Sequence, residues 1–479
     1  MPWMALRHHH RMIGPATLPI SIGERAPDWF MFVLLLALFL LLIVRNVSPE
    51  PYVYDEADYM STASHGFVAN WTDTPSISLS DFLEAGLSRA GRGSLSARIR
   101  AGNDVFFYRH FHGPLFHYAL IPVSRLGLNE RATRTALLAI PCAGLAVVYF
   151  GCLWLAPLSK TTTPLVAAML YLSSSSVIGS TELAPHQLFA ICSLASLILL
   201  LKAIATGQHR YWYGAVAIAG LAFCTLEIAL VLMLTLAISC FIERGRWRVD
   251  NRFIAKSVAV FLGTVLAIWP AAILRLSPLK SYAVMAYLSA SRESPWGNAS
   301  FFDTWLARIL ASPLEWLIIS LAVIALLRTR SRNLYPLAMF ATLMLAANLR
   351  VLTLTPRYSL PFVPVLDLFA GLALVPFLGP LRRPASFAVV TLALAGLYGN
   401  AWLQVANRPH NPNPRSAAVL TYIHQNGLEN KALLAPQADL PTLHYYFPEM
   451  RLRGYLGSTP AATEHAGFAA DAIIPLTGR

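Results

Sequence analysis

Two adjacent carboxylates, Asp55 and Glu56, follow the first apolar run of the sequence and stand among Tyr52, Tyr54 and Tyr59. Transfer of a group to a hydroxyl or an amine needs a base that accepts the proton of the acceptor. A carboxylate that emerges from a bilayer into water is well suited to this role. The same acids would also stabilise the first turn of a helix, where the macrodipole favours negative charge. Composition alone leaves both interpretations open.

A second polar group lies further along the same loop, in the segment from residue 106 to residue 118. Arg109 can bind a phosphate through its bidentate guanidinium, and His112 can donate to the same anion. His110 and His117 are candidates for contacting an acceptor, shuttling a proton or binding a metal. The spacing of the three histidines is not a strong zinc pattern. The other interpretation of this group is a polar interfacial face.

A third candidate group contains Arg357 and Tyr358, at the start of a late apolar run. A guanidinium at the mouth of a membrane span can hold an anionic headgroup or a diphosphate-like leaving group. It can equally be a snorkelling anchor beside a tyrosine of the aromatic belt.

Three more polar side chains, Glu182, His186 and Glu227, stand at the ends of apolar runs. They are candidates for contacting an acceptor or, together with Asp55 or Glu56, for coordinating a divalent cation. Ordinary loop and helix-cap roles would explain them as well.

The sequence that must position these residues is that of a membrane protein. Of its 479 residues, 56% are hydrophobic and 13% are charged, whereas about a quarter of the residues of a soluble domain are charged. Uncharged runs of spanning length recur, so we predict an all-α polytopic membrane protein with about eleven transmembrane helices. The predicted spans are 29–47, 135–155, 163–179, 185–204, 211–225, 228–242, 253–274, 305–327, 335–351, 358–378 and 384–403.

The net charge of +13 is spread over the loops between these runs. This distribution is typical of a membrane protein, so the lipid bilayer, and no nucleic acid, is the predicted partner. All five cysteines fall inside predicted spans, so the sequence predicts neither a disulfide framework nor a zinc motif.

The charge bias of the short loops predicts the orientation. With eleven spans, most of the clustered Lys and Arg residues fall on the side of the N-terminal tail, so residues 1–28 are predicted to be cytoplasmic. The loop 48–134 then lies outside, with interfacial segments at 81–100 and 114–128. Dividing the apolar run around Glu227 into two short spans preserves this agreement.

The segment 404–479 is predicted to lie outside as a small α/β domain, after a transmembrane domain at 29–403. A helix is predicted at 416–425, because the apolar periodicity stops at Asn426 and Gly427. The predicted strands are 432–435, 451–455 and 472–474.

Five short motifs, in this order, resemble those of the GT-C superfamily of membrane glycosyltransferases, in particular the branch with the lipid A aminoarabinose transferases and the protein O-mannosyltransferases. The motifs are Asp55-Glu56, His112-Gly113-Pro114-Leu115, residues 127–134, residues 220–227, and Arg357-Tyr358-Ser359-Leu360-Pro361. The second resembles a His/Lys-Pro-Pro-Leu box with glycine in place of the first proline. The fourth ends in Glu227, where several relatives have lysine.

The resemblance covers most of residues 29–400 and implies an inverting transfer of a sugar at the outer face of a bacterial inner membrane. The donor would be a polyprenyl-phosphate sugar, and the acceptor an envelope glycolipid, a polysaccharide or a protein. Asp55 would be the general base, and Glu56 would orient the acceptor or bind a metal. Arg357, with Arg109 and His112, would stabilise the departing phosphate.

Two other functions fit parts of the pattern. A transporter or flippase of lipid-linked sugars would need charged groups along a path near the bilayer midplane. The charge of this sequence instead concentrates outside, and the sequence has no internal repeat. A non-catalytic membrane scaffold would tolerate the loss of both Asp55 and Glu56.

Overall fold

A computed structural model gives the architecture of the chain. The residues that it describes are 29–52, 55–67, 83–84, 87–88, 90–91, 112–155, 162–179, 181–274, 282, 309–329, 332–351, 359–374, 384–407, 414–436, 439–455 and 468–474. Several predictions fall outside these residues, namely Arg109, His110, Arg357, Tyr358, the tail 1–28 and most of the segment 81–100.

Helices dominate the described residues up to residue 407. In chain order they are α1 (Trp29–Ile43), α2 (Asp55–Ser64), α3 (Leu115–Arg125), α4 (Glu130–Leu137), α5 (Ala139–Leu155), α6 (Thr162–Ser173), α7 (Ser175–Gly179), α8 (Pro185–Thr206), α9 (His209–Phe223), α10 (Ala229–Ile242), α11 (Arg244–Trp247), α12 (Asn251–Ile268), α13 (Pro270–Leu274), α14 (Pro313–Thr329), α15 (Tyr335–Val351), α16 (Val363–Ala373) and α17 (Pro384–Ala406). Single 3-10 turns lie at Val44–Asn46 and Arg332–Leu334.

Three of the predicted apolar runs are interrupted helices. The run 163–179 is divided at Ser174. The run 253–274 is divided at Trp269, because Pro270 has no backbone N–H to continue the helical hydrogen bonds. The run 211–242 forms two helices, α9 and α10, so the predicted division near Glu227 is confirmed, and Glu227 lies in the turn between them.

Within the described residues, four helical segments are long and apolar enough to cross a membrane: Trp29–Asn46, Glu130–Leu155, Pro185–Thr206 and Asn251–Ile268. Several other helices are apolar but shorter. The predicted class, an all-α polytopic membrane protein, is confirmed, while the number of spans stays a prediction. Helix α3 has 11 residues and is about 16 Å long, too short for about 30 Å of hydrocarbon, which agrees with an interfacial helix at 114–128.

The core of the helical region surrounds α8, which packs against α5 and α9. A second set of contacts joins α16 to α6 and α14. Gly371 lets helix α16 approach α6 closely, because any larger side chain at this position would overlap Ala167. Small residues commonly allow such close packing between membrane helices. The buried side chains of these helices form one continuous apolar core.

A separate apolar cluster lies beside α2 and α3. Its buried members are Tyr52, Ala57, Tyr59, Met60, Ala63, Phe116, Leu120, Ile121, Val123 and Leu183. Because these residues come from the loop after α1, from α2, from α3 and from the turn before α8, the cluster fixes α2 against its neighbours. Tyr445 and Tyr446 of the C-terminal segment also pack against it.

The C-terminal unit, defined here as residues 414–474, contains the predicted small sheet. Its elements are α18 (Pro414–Gln425), β1 (Ala432–Pro436), α19 (Leu440–Tyr446), β2 (Arg451–Tyr455) and β3 (Ala472–Ile473). The strands are parallel in the order β2-β1-β3. The predicted helix and strands are confirmed, and Gly427 ends α18 with a positive φ of 60°. Helix α19 was not among the predicted elements.

Candidate active site

The acidic pair forms the start of a helix. The first turn of α2 contains Asp55, Glu56 and Asp58. Negative charges there interact favourably with the positive end of the helix dipole. The helix-start interpretation therefore describes the local structure, and it is compatible with a chemical role. The two acids differ in their surroundings, because Glu56 is buried and Asp55 is half-buried.

Both carboxylate oxygens of Glu56 accept hydrogen bonds from the Arg134 guanidinium. Nε of Arg134 lies 3.0 Å from Oε1, and its Nη2 lies 2.6 Å from Oε2. The Leu183 backbone N–H also donates to Oε1, at 2.9 Å. The same guanidinium donates to the backbone carbonyls of Ser48 and Glu50, at 3.0 and 2.6 Å. Glu56 and Arg134 thus join the loop before α2, helix α4 and the turn before α8.

A second pair connects His112 to Glu227, with His112 Nδ1 and Glu227 Oε2 3.0 Å apart. The contact depends on a close approach of two backbone segments. The Leu115 N–H donates to the Cys224 carbonyl at 2.9 Å, and a Cβ at Gly113 would overlap that carbonyl. Glycine therefore suits this position of the motif, because it lets the chain after His112 contact the turn that carries Glu227.

Tyr59 lies among the histidines of the site. Its ring centroid is 5.9 Å from that of His112 and 5.5 Å from that of His117. His186, at the start of α8, lies 6.4 Å from the His112 ring. Asp55 precedes Tyr59 by four residues in the same helix, so the two side chains share a face of α2. Asp55 is therefore on the side of α2 that faces the histidines.

The described residues thus bring together several of the predicted site residues. His112 and His117 lie beside Tyr59 of α2, and His186 and Glu227 lie beside His112. Glu182 is half-buried in the turn before α8, next to the residue whose N–H donates to Glu56. Arg109, His110, Arg357 and Tyr358 stay predictions, because they lie outside the described residues.

Ser359, the residue after Tyr358, is described and buried. Its hydroxyl lies 2.6 Å from that of Ser176 in α7. This contact fixes the point at which the late arginine motif joins the helical core.

The part of the chain that the structure describes contains no assembled set of metal ligands. Among those residues, no group of three or more His, Cys, Asp or Glu side chains is arranged to hold a metal ion. A divalent cation at this site stays a prediction from the sequence.

Two features of the site were not predicted from the sequence. Arg134 was assigned only to a motif before the second span, and its partner Glu56 is 78 residues away. The available sequence signal was an arginine directly before an apolar run. The second feature is the pair Tyr445 and Tyr446 of the C-terminal unit. Two consecutive tyrosines in a sequence do not indicate which residues they contact.

Comparison with known proteins agrees with this architecture. Residues 112–272 match the family model described as dolichyl-phosphate-mannose-protein mannosyltransferase. No curated protein sequence matches the chain. Among solved structures, ArnT from Cupriavidus metallidurans in the apo state is similar with a TM-score of 0.60 and 14% identity, over 91% of this chain and 88% of that one.

Two structures of the oligosaccharyltransferase from Archaeoglobus fulgidus are also similar, each over 88% of this chain. The complex with Zn and sulfate has a TM-score of 0.55 and 14% identity, over 62% of its own length. The complex of AglB with an inhibitory peptide and a dolichol-phosphate has a TM-score of 0.53 and 12% identity, over 64%. The resemblance found in the motifs is thereby confirmed: the chain is a multi-pass membrane protein with the GT-C glycosyltransferase fold, and its residues 112–272 match the mannosyltransferase family.

Proposed function

We propose that this protein is an inverting glycosyltransferase that moves a sugar from a polyprenyl-phosphate donor to an acceptor on the outer face of the membrane. The acceptor would be a glycolipid, a polysaccharide or a protein of the envelope, and the membrane a bacterial inner membrane with the N-terminus in the cytoplasm. The observation that carries the proposal is the half-buried Asp55 at the start of α2. It shares a helix face with Tyr59, whose ring centroid lies 5.9 Å from that of His112, the partner of Glu227.

In this proposal Asp55 takes the proton of the acceptor hydroxyl or amine as that group attacks the anomeric carbon of the donor sugar. The bond between the anomeric carbon and the phosphate oxygen breaks. The polyprenyl phosphate leaves with the bonding electrons. A single displacement of this kind inverts the configuration at the anomeric carbon.

The charge that develops on the departing phosphate needs cationic or hydrogen-bonding groups. His112 is our first candidate among the described residues, because Glu227 holds its Nδ1 and so fixes the orientation of the ring. Nε2 is the nitrogen from which it would bind a phosphate oxygen. Arg357, with Tyr358 and Arg109, is proposed for the same role from the sequence. His110, His117, Glu182 and His186 are proposed for the acceptor side.

Glu56 takes a different part in this proposal. Because both of its oxygens accept from Arg134, we assign it to holding α2 in place, rather than to proton transfer. It is a positioning residue, since it would act through Asp55.

The transporter alternative has one observation in its favour. Glu315 and Asp367 are buried on the neighbouring helices α14 and α16, and acidic groups inside membrane helices often mark a transport path. Transport of a labelled polyprenyl-phosphate mannose across vesicles, without any release of polyprenyl phosphate, would favour this alternative over sugar transfer.

The proposed transfer is tested in a deletion strain. Mass spectrometry of envelope glycolipids and glycoproteins should show the loss of one sugar mass, which the wild-type gene restores. Asp55→Asn should not restore it, because the amide cannot accept the proton. Asp58→Asn, which changes another acid of the same helical turn, should restore it. Full complementation by Asp55→Asn at equal expression would refute the assignment.

A further inference from the structure

The C-terminal unit contacts the segment that leads into the proposed base. The hydroxyl of Tyr446 accepts a hydrogen bond from the Tyr52 backbone N–H at 2.8 Å and donates one to Glu130 Oε1 at 2.7 Å. Tyr52 lies three residues before Asp55. One hydroxyl on α19 therefore joins the loop before α2 to the first turn of α4.

Aromatic contacts reinforce this connection. The Tyr445 ring meets the Tyr52 ring edge-on, with centroids 5.3 Å apart, and Tyr52 is 1% exposed. The Arg134 guanidinium also lies 5.2 Å from the centre of the Tyr52 ring. Tyr52 thus contacts both the C-terminal unit and the arginine that holds Glu56.

Both of the segments that Tyr446 joins determine where α2 begins. Glu130 and Arg134 are four residues apart on α4, so they lie on one side of that helix. Arg134 binds Glu56, and Tyr52 precedes Asp55 by three residues in the chain. A shift of Tyr446 would therefore be transmitted to the start of α2 by two routes.

The state of the Tyr446 hydroxyl suits this role. Burial raises the pKa of Tyr446, and its hydrogen bond to Glu130 raises the pKa further. The hydroxyl therefore keeps its proton and continues to donate to the carboxylate. The unit that presents it has its own apolar core, with Leu443, Ile423 and Leu433 fully buried, so Tyr446 is held on a packed body.

We propose that Tyr446 is a positioning residue through which the C-terminal unit holds α2 and sets the turnover rate of the site. This inference rests on the proposed function for its kinetic consequence. The contact itself can be measured independently. Tyr446→Phe removes both hydrogen bonds and keeps the ring, so α2 should lose its restraint at Tyr52.

The first measurement is hydrogen exchange of the full-length protein in nanodiscs. Tyr446→Phe should speed exchange of the amides in Asp55–Ser64, whereas Tyr422→Phe should not. Tyr422 lies on α18 of the same unit and is 41% exposed, so it controls for the loss of a tyrosine hydroxyl. Unchanged exchange in Asp55–Ser64 for Tyr446→Phe would overturn the proposal.

The second measurement separates positioning from folding. With the donor and acceptor identified from the deletion strain, Tyr446→Phe should lower kcat by about 10- to 100-fold, because small displacements of catalytic groups have effects of this size. The KM for the donor should change little, since the proposed phosphate contacts are elsewhere. Glu130→Gln keeps an acceptor for the hydroxyl and should keep most of the rate, whereas Glu130→Ala should resemble Tyr446→Phe.

The two proposals fail in different ways. Wild-type kcat in Tyr446→Phe would overturn the positioning role while the glycosyltransferase assignment stands. Absence of transfer by the wild-type protein would overturn the glycosyltransferase assignment, and hydrogen exchange alone would then decide whether Tyr446 holds α2.

Discussion

The Glu56–Arg134 pair and the His112–Glu227 pair both join distant parts of the chain beside α2, but they differ in burial and in the number of bonds. The side chains of Glu56 and Arg134 are 5% and 4% exposed, and Arg134 also binds several backbone carbonyls. His112 is similarly buried, but Glu227 is 23% exposed, and one contact of 3.0 Å joins the two side chains.

This difference separates a structural role from a chemical one. A buried pair whose oxygens are all bonded strongly penalises the loss of either partner, because the remaining charge is left without compensation. A pair with one partner open to water can adjust when a charged ligand arrives, at a smaller cost. We therefore expect changes in the first pair to affect folding, and changes in the second to affect turnover.

The largest effect is expected for Arg134→Met. It leaves the Glu56 carboxylate buried without its partner and should lower the free energy of unfolding by about 3–5 kcal/mol. Thermal unfolding in detergent would measure the change. Arg131→Met, at an exposed position of the same helix, should leave the transition almost unchanged. Equal unfolding temperatures for the two variants would contradict the structural role of the Glu56–Arg134 pair.

A smaller effect is expected for Gly113→Ala, which acts on the second pair through the backbone. The new Cβ would overlap the Cys224 carbonyl, and overpacking of this kind costs about 1–3 kcal/mol. Both the unfolding temperature and the transfer rate should fall, because His112 moves away from Glu227. Gly245→Ala has open space around the added Cβ and should change neither. A normal rate in Gly113→Ala would show that the close approach is not needed.

The smallest effect is expected for Glu227→Gln, which keeps the shape of the second pair and removes its charge. The transfer kcat/KM should fall by about tenfold, or about 1.4 kcal/mol, with no change in thermal unfolding. His112→Gln should lower the rate as well, and the double variant should be little worse than the worse single variant, because the two residues act as one unit. Glu243→Gln, in a turn between α10 and α11, is the control. Additive losses in the double variant would show that the two side chains act independently.

Much of the fold follows from the sequence because its signals are local. Apolar runs of spanning length predicted the helices, and for 335–351 the bounds agree to the residue. Short strand patterns and a glycine stop predicted α18 and the three strands of the C-terminal unit, but not α19. The turn at Glu227 was predicted because one long span would place a carboxylate in hydrocarbon and reverse the sides of all later loops, against their charge bias.

The candidate site was predicted only as a set of residue types. The sequence singled out Asp55, Glu56, His112 and Glu227, and the order of the motifs indicated their family. Only the family resemblance gave the two adjacent acids different roles, because both satisfy the same local rule for the first turn of a helix. Burial of one and partial exposure of the other depend on what packs against α2.

Only the tertiary structure decided the partners. Glu56 could have paired with any of several arginines in the outer loop, and the folded chain selects Arg134. Glu227 meets His112 across 115 residues, and Tyr446 meets Tyr52 across 394. Residue type and spacing determine which side chains can bond and which local element carries them. The choice between equivalent partners depends on distances between side chains, and only the packing of the helices sets those distances. For this reason the sequence alone did not determine the partners.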